Sequence, residues 1–317
     1  PKGRRFESCP RNSRKPLDEW LFFYAMHKSG FVNIIGNPNV GKSTLMNQLV
    51  GEKLSIITNK AQTTRHRISG IVNTDDYQII YSDTPGIVVP SYKMHEGMMQ
   101  FVSTAILDAD IIIYMTEVGE RKIKDEQTLK RIVNAKVPVL LLVNKIDISD
   151  QERMEKHIEN WKALIPNAEV YPISALTKFN IDTVFSRITE LLPEGDPYYP
   201  KDALTDKPER FFVSEIIREK IFETYSKEIP YSCEVVIAEF KEDKNIIRIR
   251  AEIMVSRKSQ KGIVIGHKGK KLKRVGTDAR KDMEKFFEKK VFLALYVKVD
   301  DNWRSDDNRL KRYGYLN

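Results

Sequence analysis

Short apolar-rich runs recur along the first two-thirds of the chain: Phe31–Ile35, Tyr77–Tyr81, Ile111–Met115, Val139–Val143 and Glu169–Ile173. Each has the length of a strand. Val139–Val143 is wholly apolar, the pattern of a strand buried on both faces. Between the runs, residues 124–135, 151–164 and 180–192 place apolar residues at helical spacing among charged ones. Strands alternating with amphipathic helices predict an α/β fold, a mostly parallel, doubly wound sheet with helices on both faces, over residues 26–193. The pattern then breaks. Three prolines and a glycine within residues 193–200 predict a linker over 194–208. Beyond it, 209–225 carries Phe212, Ile216, Ile217 and Ile221 at helical spacing. Ser232–Phe240 and Ile246–Val255 read as strands, 271–287 as a long helix and Val291–Val299 as a closing strand. This gives a second, α+β domain over 209–300, followed by a tail, 301–317.

Residues 1–25 match neither part. Basic residues precede a brief apolar run, Trp20–Ala25, which is shorter than a usual signal segment and has no small-residue cleavage site after it. The stretch reads as an extension upstream of a natural start at Met26; a basic arm and a secretory signal are the alternatives. It is set aside from the fold reasoning.

Composition adds three constraints. A chain of 317 residues, 41% hydrophobic and 31% charged, suits two globular domains and excludes a disordered chain. No run approaches the roughly 18 apolar residues of a membrane span. Cys9 and Cys233 make neither a disulfide framework nor a zinc-type spacing, which suits a reducing cytoplasm. The net charge of +9 is uneven: residues 201–317 hold 28 Lys/Arg against 20 Asp/Glu, while the middle of the chain is near neutral. The partner expected for that last third is a polyanion, either nucleic acid or an anionic membrane surface.

The first chemical motif follows the first strand. Gly36-Asn37-Pro38-Asn39-Val40-Gly41-Lys42-Ser43 opens a helix with Thr44, in the G-x-x-x-x-G-K-S spacing. Glycines there allow successive backbone N–H groups to converge on a phosphate, and the helix adds its positive end. Lys42 reaches the β- and γ-phosphates, and the Ser43 hydroxyl suits Mg²⁺. Asp83-Thr84-Pro85-Gly86 ends the second strand, where a carboxylate can hold the Mg²⁺ shell and a glycine N–H can approach the γ-phosphate. Asn144-Lys145-Ile146-Asp147 ends the Val139–Val143 strand. The Asp147 carboxylate matches the paired N–H donors of guanine, which adenine lacks, while Asn144 and Lys145 support the ring's edge and face. Ser174 and Ala175 follow the last strand, where a backbone N–H can meet the guanine O6. All four elements stand at strand ends, where open α/β sheets bind ligands.

The order GNPNVGKS, DTPG, NKID, SAL resembles the translation-factor-related GTPases, and together with Lys60-Ala61-Gln62-Thr63-Thr64-Arg65-His66-Arg67 it resembles the Era family. The resemblance covers residues 26–317 and implies GTP hydrolysis with Mg²⁺ as cofactor. It also implies a switch-region threonine closing over the metal and the γ-phosphate, Thr64 or its neighbour Thr63. Lys42, Thr64, Asp83 and Gly86 are the expected catalytic set. Related GTPases place a water-orienting Gln where this chain has Ile87, so slow intrinsic hydrolysis is expected. Others of this type use K⁺ beside a phosphate-loop Asn; Asn39 stands at that position, and a turn role is the alternative. His66 reads as a surface residue without a catalytic role.

In the basic third, Arg257, Lys258 and Lys261 lead into Ile265-Gly266-His267-Lys268-Gly269-Lys270-Lys271. Residues 257–274 hold eight Lys/Arg and no acid. Ile-Gly-x-x-Gly between two helices is the loop of a KH module, which clamps the backbone of single-stranded RNA. Ile263 and Ile265 are expected to line the groove for bases. The order α-β-β-α-α-β resembles the type II KH topology found at the C-terminus of the Era family. Trp303 in the tail either stacks a base or covers the sheet edge. The family implies binding near the 3′ end of small-subunit (16S) ribosomal RNA, help in maturing the 30S particle, and a cytoplasmic protein with peripheral membrane contact; a monomer is the default expectation. The rival readings are a P-loop ATPase, a membrane-surface GTPase and a nucleotide-stabilised RNA-binding scaffold.

Overall fold

A computed structural model describes residues 27–316. The first sheet has the order β2-β3-β1-β4-β5-β6, built from β1 (Lys28–Gly36), β2 (Ile68–Asn73), β3 (Tyr77–Asp83), β4 (Ile111–Glu117), β5 (Val139–Asn144) and β6 (Glu169–Pro172). All neighbours run parallel except β2 against β3. Helices α1 (Lys42–Val50), α2 (Lys93–Leu107), α3 (Glu126–Val133), α4 (Gln151–Leu164) and α5 (Ile181–Leu191) follow the strands in turn. Apolar cores lie on both faces: Ile34, Leu45, Ile113, Leu142 and Ile188 on one, Ile35, Ile112, Leu141 and Trp161 on the other. Side chains alternate across a strand, so Ile34 and Ile35 fall in different cores, and that double burial requires the continuous apolar runs seen in the sequence. The expected doubly wound α/β domain is therefore present.

The proline-rich stretch is not slack. Leu204 accepts from the Ile71 N–H at 2.8 Å, the Thr205 hydroxyl donates to the Ser69 carbonyl at 2.7 Å, and Gln78 holds both backbone groups of Tyr199. It thereby covers the open edge of β2, whose unpaired groups would otherwise template another strand.

The second domain comprises α6 (Glu209–Thr224), the short α7 (Ile229–Ser232), β7 (Cys233–Glu242), β8 (Ile246–Val255), α8 (Lys258–Ile265), α9 (Lys270–Phe287) and β9 (Lys290–Val299). Its sheet has the order β7-β8-β9, with β8 and β9 parallel. One face packs Ile249, Ile253, Val291 and Val297 against Ile217, Val264, Val275 and Met283. This is the expected α-β-β-α-α-β arrangement. The tail then returns to the first domain through α10 (Asp307–Arg312), burying Trp303, Leu310 and Tyr315 against Met94 and Met98 of α2.

Candidate functional site

The phosphate loop turns at Asn39 (φ 68°) and Gly41 (φ 102°) before α1 begins. Gly41 cannot be replaced. Its backbone is left-handed, and a Cβ would stand 2.4 Å from the Asn144 amide nitrogen. Lys42 is buried and donates to the Gly36 carbonyl at 3.1 Å and the Asn37 carbonyl at 2.9 Å. Burial lowers its ammonium to about 8, against the opposing pull of Asp83 and Glu120.

Beside it three oxygens converge. The Ser43 hydroxyl donates to Asp83 Oδ2 at 2.6 Å, the Thr64 hydroxyl lies 3.0 Å from that of Ser43, and it donates to the same carboxylate oxygen at 3.1 Å. Asp83 Oδ1 is buried and has no hydrogen-bond partner among the described residues. Burial raises the Asp83 carboxyl, with Lys42 and the hydroxyls opposing. A hard-oxygen set with an orphaned carboxylate oxygen, next to a buried ammonium, fits Mg²⁺ and phosphate. Thr63 lines the same cavity, but its hydroxyl donates to the Lys60 carbonyl at 2.7 Å and not to Asp83.

These groups open on a cavity of about 540 Å³ lined by Pro38, Asn39, Gly41, Lys42, Ser43, Thr44, Thr64, Gly86, Asn144, Lys145, Asp147 and Ala175. Its volume is that of a site for a nucleotide-sized ligand. Gly86 is pressed against the phosphate loop: a Cβ there would meet the Pro38 backbone at 2.7 Å.

At the far end of the chain, α8 stops at Gly266 (φ 72°) and α9 starts at Gly269 (φ 75°), with the Gly269 N–H donating to the Gly266 carbonyl at 3.1 Å. His267, Lys268 and Lys270 are exposed at this turn, as are Arg257 and Lys258; Lys261 is half-buried. The Lys271 ammonium lies 5.7 Å from the Tyr225 ring centroid.

Family models place a 50S ribosome-binding GTPase domain over residues 31–145 and a KH domain over 228–304. GTPase Era of Clostridium kluyveri is 44% identical over 92% of this chain and all of its own length. That of Staphylococcus haemolyticus is 45% identical over 92% of this chain and 98% of its own. The chain belongs to the Era family of GTPases. Solved Era structures agree. One, in complex with MgGDPNP and nucleotides 1506–1542 of 16S ribosomal RNA, superposes with a TM-score of 0.87 at 38% identity, covering 92% of this chain. An Aquifex aeolicus Era variant bound to GDP·AlF4⁻ gives 0.86 at 38% identity and the same coverage.

Several expected site residues of this Era-family chain point away from the cavity. Asn37 is buried, and its amide donates to Glu120 and to the Lys122 carbonyl, bracing the loop from behind. Gly36 and Val40 are buried; the Thr84 hydroxyl donates to the Ile34 carbonyl at 2.7 Å, and Pro85 is buried. Ile87 is wholly buried beside Ile35 and Val102, with its N–H on the Gly36 carbonyl, so it frames the site without lining it. Asn144 spans two loops: it donates to the Val40 carbonyl at 2.8 Å and accepts from the Ala175 N–H at 2.9 Å. Asn144 and Ala175 thus tie two loops together where both line the cavity. Ser174 is buried and accepts from the Thr177 N–H. Lys145 pairs with Glu117, and Asp147 is exposed at the cavity mouth.

In the KH module the groove beside the turn is lined by Gly269, Leu272, Gly276, Leu293 and Leu295. Ile265 packs partly into the core and Ile263 lies outside that groove. Trp303 stacks no base: it is fully buried and donates to the Ser232 carbonyl at 3.2 Å.

The sequence reading missed a joint between the domains. Arg65, next to Thr64, is fully buried in the second domain. Its guanidinium donates to the carbonyls of Pro230 and Cys233 at 2.9 and 2.8 Å and to Glu234 at 3.1 Å. The Tyr315 hydroxyl donates to the same Glu234 at 2.6 Å. Burial alone would raise the Glu234 carboxyl, but Arg65, Arg218 and His66 outweigh it and hold it below its usual range. Arg218 donates to the Thr63 carbonyl at 2.9 Å, and the Lys60 ammonium donates to the carbonyls of Phe222 and Tyr225. His66, expected at the surface, is packed among Phe101, Phe211 and Tyr315 with a ring nitrogen on the Tyr313 carbonyl. It does not line the nucleotide cavity. The only sequence signal was the unusual density of Thr, Arg and His in this loop, and that pattern also fits a solvated loop.

Proposed function

We propose that this Era-family GTPase binds single-stranded RNA near the 3′ end of 16S ribosomal RNA and assists maturation of the 30S particle as a nucleotide-controlled switch. One observation carries the control. Thr64 faces Ser43 and Asp83, while the adjacent Arg65 is sunk in the KH domain. A segment held by metal and γ-phosphate on one side and by Glu234 on the other transmits the state of one site to the other. Ser43, Thr64 and Asp83 would hold Mg²⁺, which offsets phosphate charge when bound; Asp147 selects guanine, and Lys42 holds the β- and γ-phosphates. The family model for the GTPase domain names the 50S particle, but it spans that domain alone. The relative covered over its whole length is bound to small-subunit RNA, which favours the 30S.

Ile87 cannot orient the attacking water, so charge between the phosphates is offset otherwise. Asn39 is exposed at the cavity, with its amide on the Asn59 carbonyl at 3.4 Å. A side-chain carbonyl and a backbone carbonyl lie close enough to share K⁺ there. Replacing K⁺ by Na⁺ is expected to slow turnover. The decisive test of the switch is RNA affinity measured with a GTP analogue and with GDP: tighter binding with the analogue is expected, and equal affinities remove the switch.

A further inference from the structure

The KH sheet has two faces, and the established loop uses only one of them. Odd-numbered residues of β8 and β9 face the helices, while Arg248, Arg250, Phe292 and Tyr296 face outward. Near the first domain this outer face is closed, since Glu234 and Met254 are buried. Further along, it is open: Phe292 is 56% and Tyr296 52% exposed. Rings of that size left in water on a flat sheet are unusual unless something covers them.

The arrangement indicates what does. Four residues along one strand separate the two rings by roughly 13 Å at about 3.3 Å per residue. Between them stands Ala294, too small to fill the gap, and directly across from it on β8 stands Arg250. Arg248 lies across from Phe292, and Lys290 and Lys298 extend the outward row of β9 at either end. The nearby acids are already engaged: Glu239 pairs with Lys241, Glu252 with Lys298 and Arg250, and Asp243 with Arg248. Cations outnumber them, so the face stays positive. β9 is also the edge strand. Its inward residues Leu293 and Leu295 line the groove at Gly269, so a polymer leaving that groove meets the outer face with no other strand in the way.

We propose that this outer face is a second RNA-binding surface, on which two unpaired bases stack on Phe292 and Tyr296 while Arg248 and Arg250 hold the intervening phosphates. The inference rests on the RNA-binding reading above. A KH loop clamps about four nucleotides, whereas the RNA of the solved Era complex runs over nucleotides 1506–1542. The remainder is long enough to reach other protein surface, and unpaired bases are what exposed rings between guanidinium groups hold.

The test uses the full chain with a GTP analogue and RNA of that 1506–1542 segment. Base stacking contributes roughly 1–3 kcal/mol per ring. Phe292→Ala or Tyr296→Ala should each weaken binding about tenfold, and the pair about a hundredfold, with thermal unfolding and nucleotide affinity unchanged. With 4-thiouridine in the RNA, crosslinks should appear on the tryptic peptide Val291–Lys298 as well as on the glycine-loop peptide. Wild-type affinity in the double variant, with no crosslink on Val291–Lys298, overturns the proposal. A His267→Asp/Lys268→Asp variant separates the two claims. If it alone loses RNA, the RNA-binding reading stands and the second surface falls. If the wild-type chain binds no RNA, both fall. If the ring variants keep RNA but lose phosphatidylglycerol vesicles, the occupant is lipid and the proposal fails.

Discussion

Asp147 and Lys42 test how much of the proposed chemistry rests on single side chains. Asp147 is exposed at the cavity mouth, free to accept from both guanine donors. Asp147→Asn replaces one acceptor by a donor. GTP affinity should fall at least a hundredfold and xanthosine triphosphate should bind in its place, as a nucleotide competition assay will show. Lys42 tests the electrostatics. Its folded-state value of about 8 lies below the ordinary lysine value of 10.5. Between these values the unfolded chain binds more protons than the folded one, so stability rises with pH across that window; below about 8 the full cost of burying the charge is present. Lys42→Met lacks this group. Denaturation without nucleotide at pH 7 and pH 9.5 should show the wild type gaining about 2 kcal/mol relative to the variant. A difference that does not change with pH would mean that the ammonium is solvated.

The elements differ in how legible they were. The strands of the first sheet other than β2 were plain because burial on both faces demands apolar runs, and the phosphate loop, Asp83 and Asp147 sit at their ends. Two elements of the first domain escaped. β2 (ISGIVN) is a short antiparallel edge strand whose neighbour is the 194–208 stretch, so its pairing depends on residues far away in sequence. α2 buries His95 and Gly97 among its methionines, and a Cβ on Gly97 would meet the Tyr315 carbonyl at 2.5 Å. That face makes sense only once the tail is known to dock there. Trp303 was ambiguous for the same reason. The joint at Arg65 was illegible because charged residues usually mark solvent; only the fold brings Pro230, Glu234 and Tyr315 around it. Removing one partner of a buried pair leaves the other uncompensated. Arg65→Ala should therefore cost about 3–5 kcal/mol in chemical denaturation, far more than the loss of an exposed pair such as Lys156–Glu152. Glu234 adds a pH dependence. Its folded value is depressed, so its contribution is present above the usual glutamate range and is lost as the pH falls through the folded value. Glu234→Gln should flatten the stability profile below about pH 5.

Across the whole molecule, the nucleotide cavity and the glycine turn of the KH domain share no residue, so any influence of one on the other is a coupling free energy. Such a coupling is reciprocal: if a GTP analogue tightens RNA binding by some factor, RNA must tighten the analogue by the same factor. A ligand shifts the arrangement only by its differential affinity for the two states, and in the proposed switch that difference passes through residues 60–65. Thr64→Ala removes the contact with Ser43 and Asp83 but leaves Arg65 in place. Arg65→Met instead keeps the Thr64 hydroxyl on the cavity side and releases the carbonyls of Pro230 and Cys233. Both variants should bring the factor toward unity in both directions, while RNA affinity with GDP stays near wild type. Couplings of this kind are typically 1–3 kcal/mol, so the wild-type factor should be about 5–150. Titration calorimetry of analogue into free and RNA-bound protein, and of RNA into GDP- and analogue-bound protein, closes the cycle. If Thr64→Ala leaves the factor intact, the signal runs through another contact, and the docking of the tail on α2 is then the next place to cut.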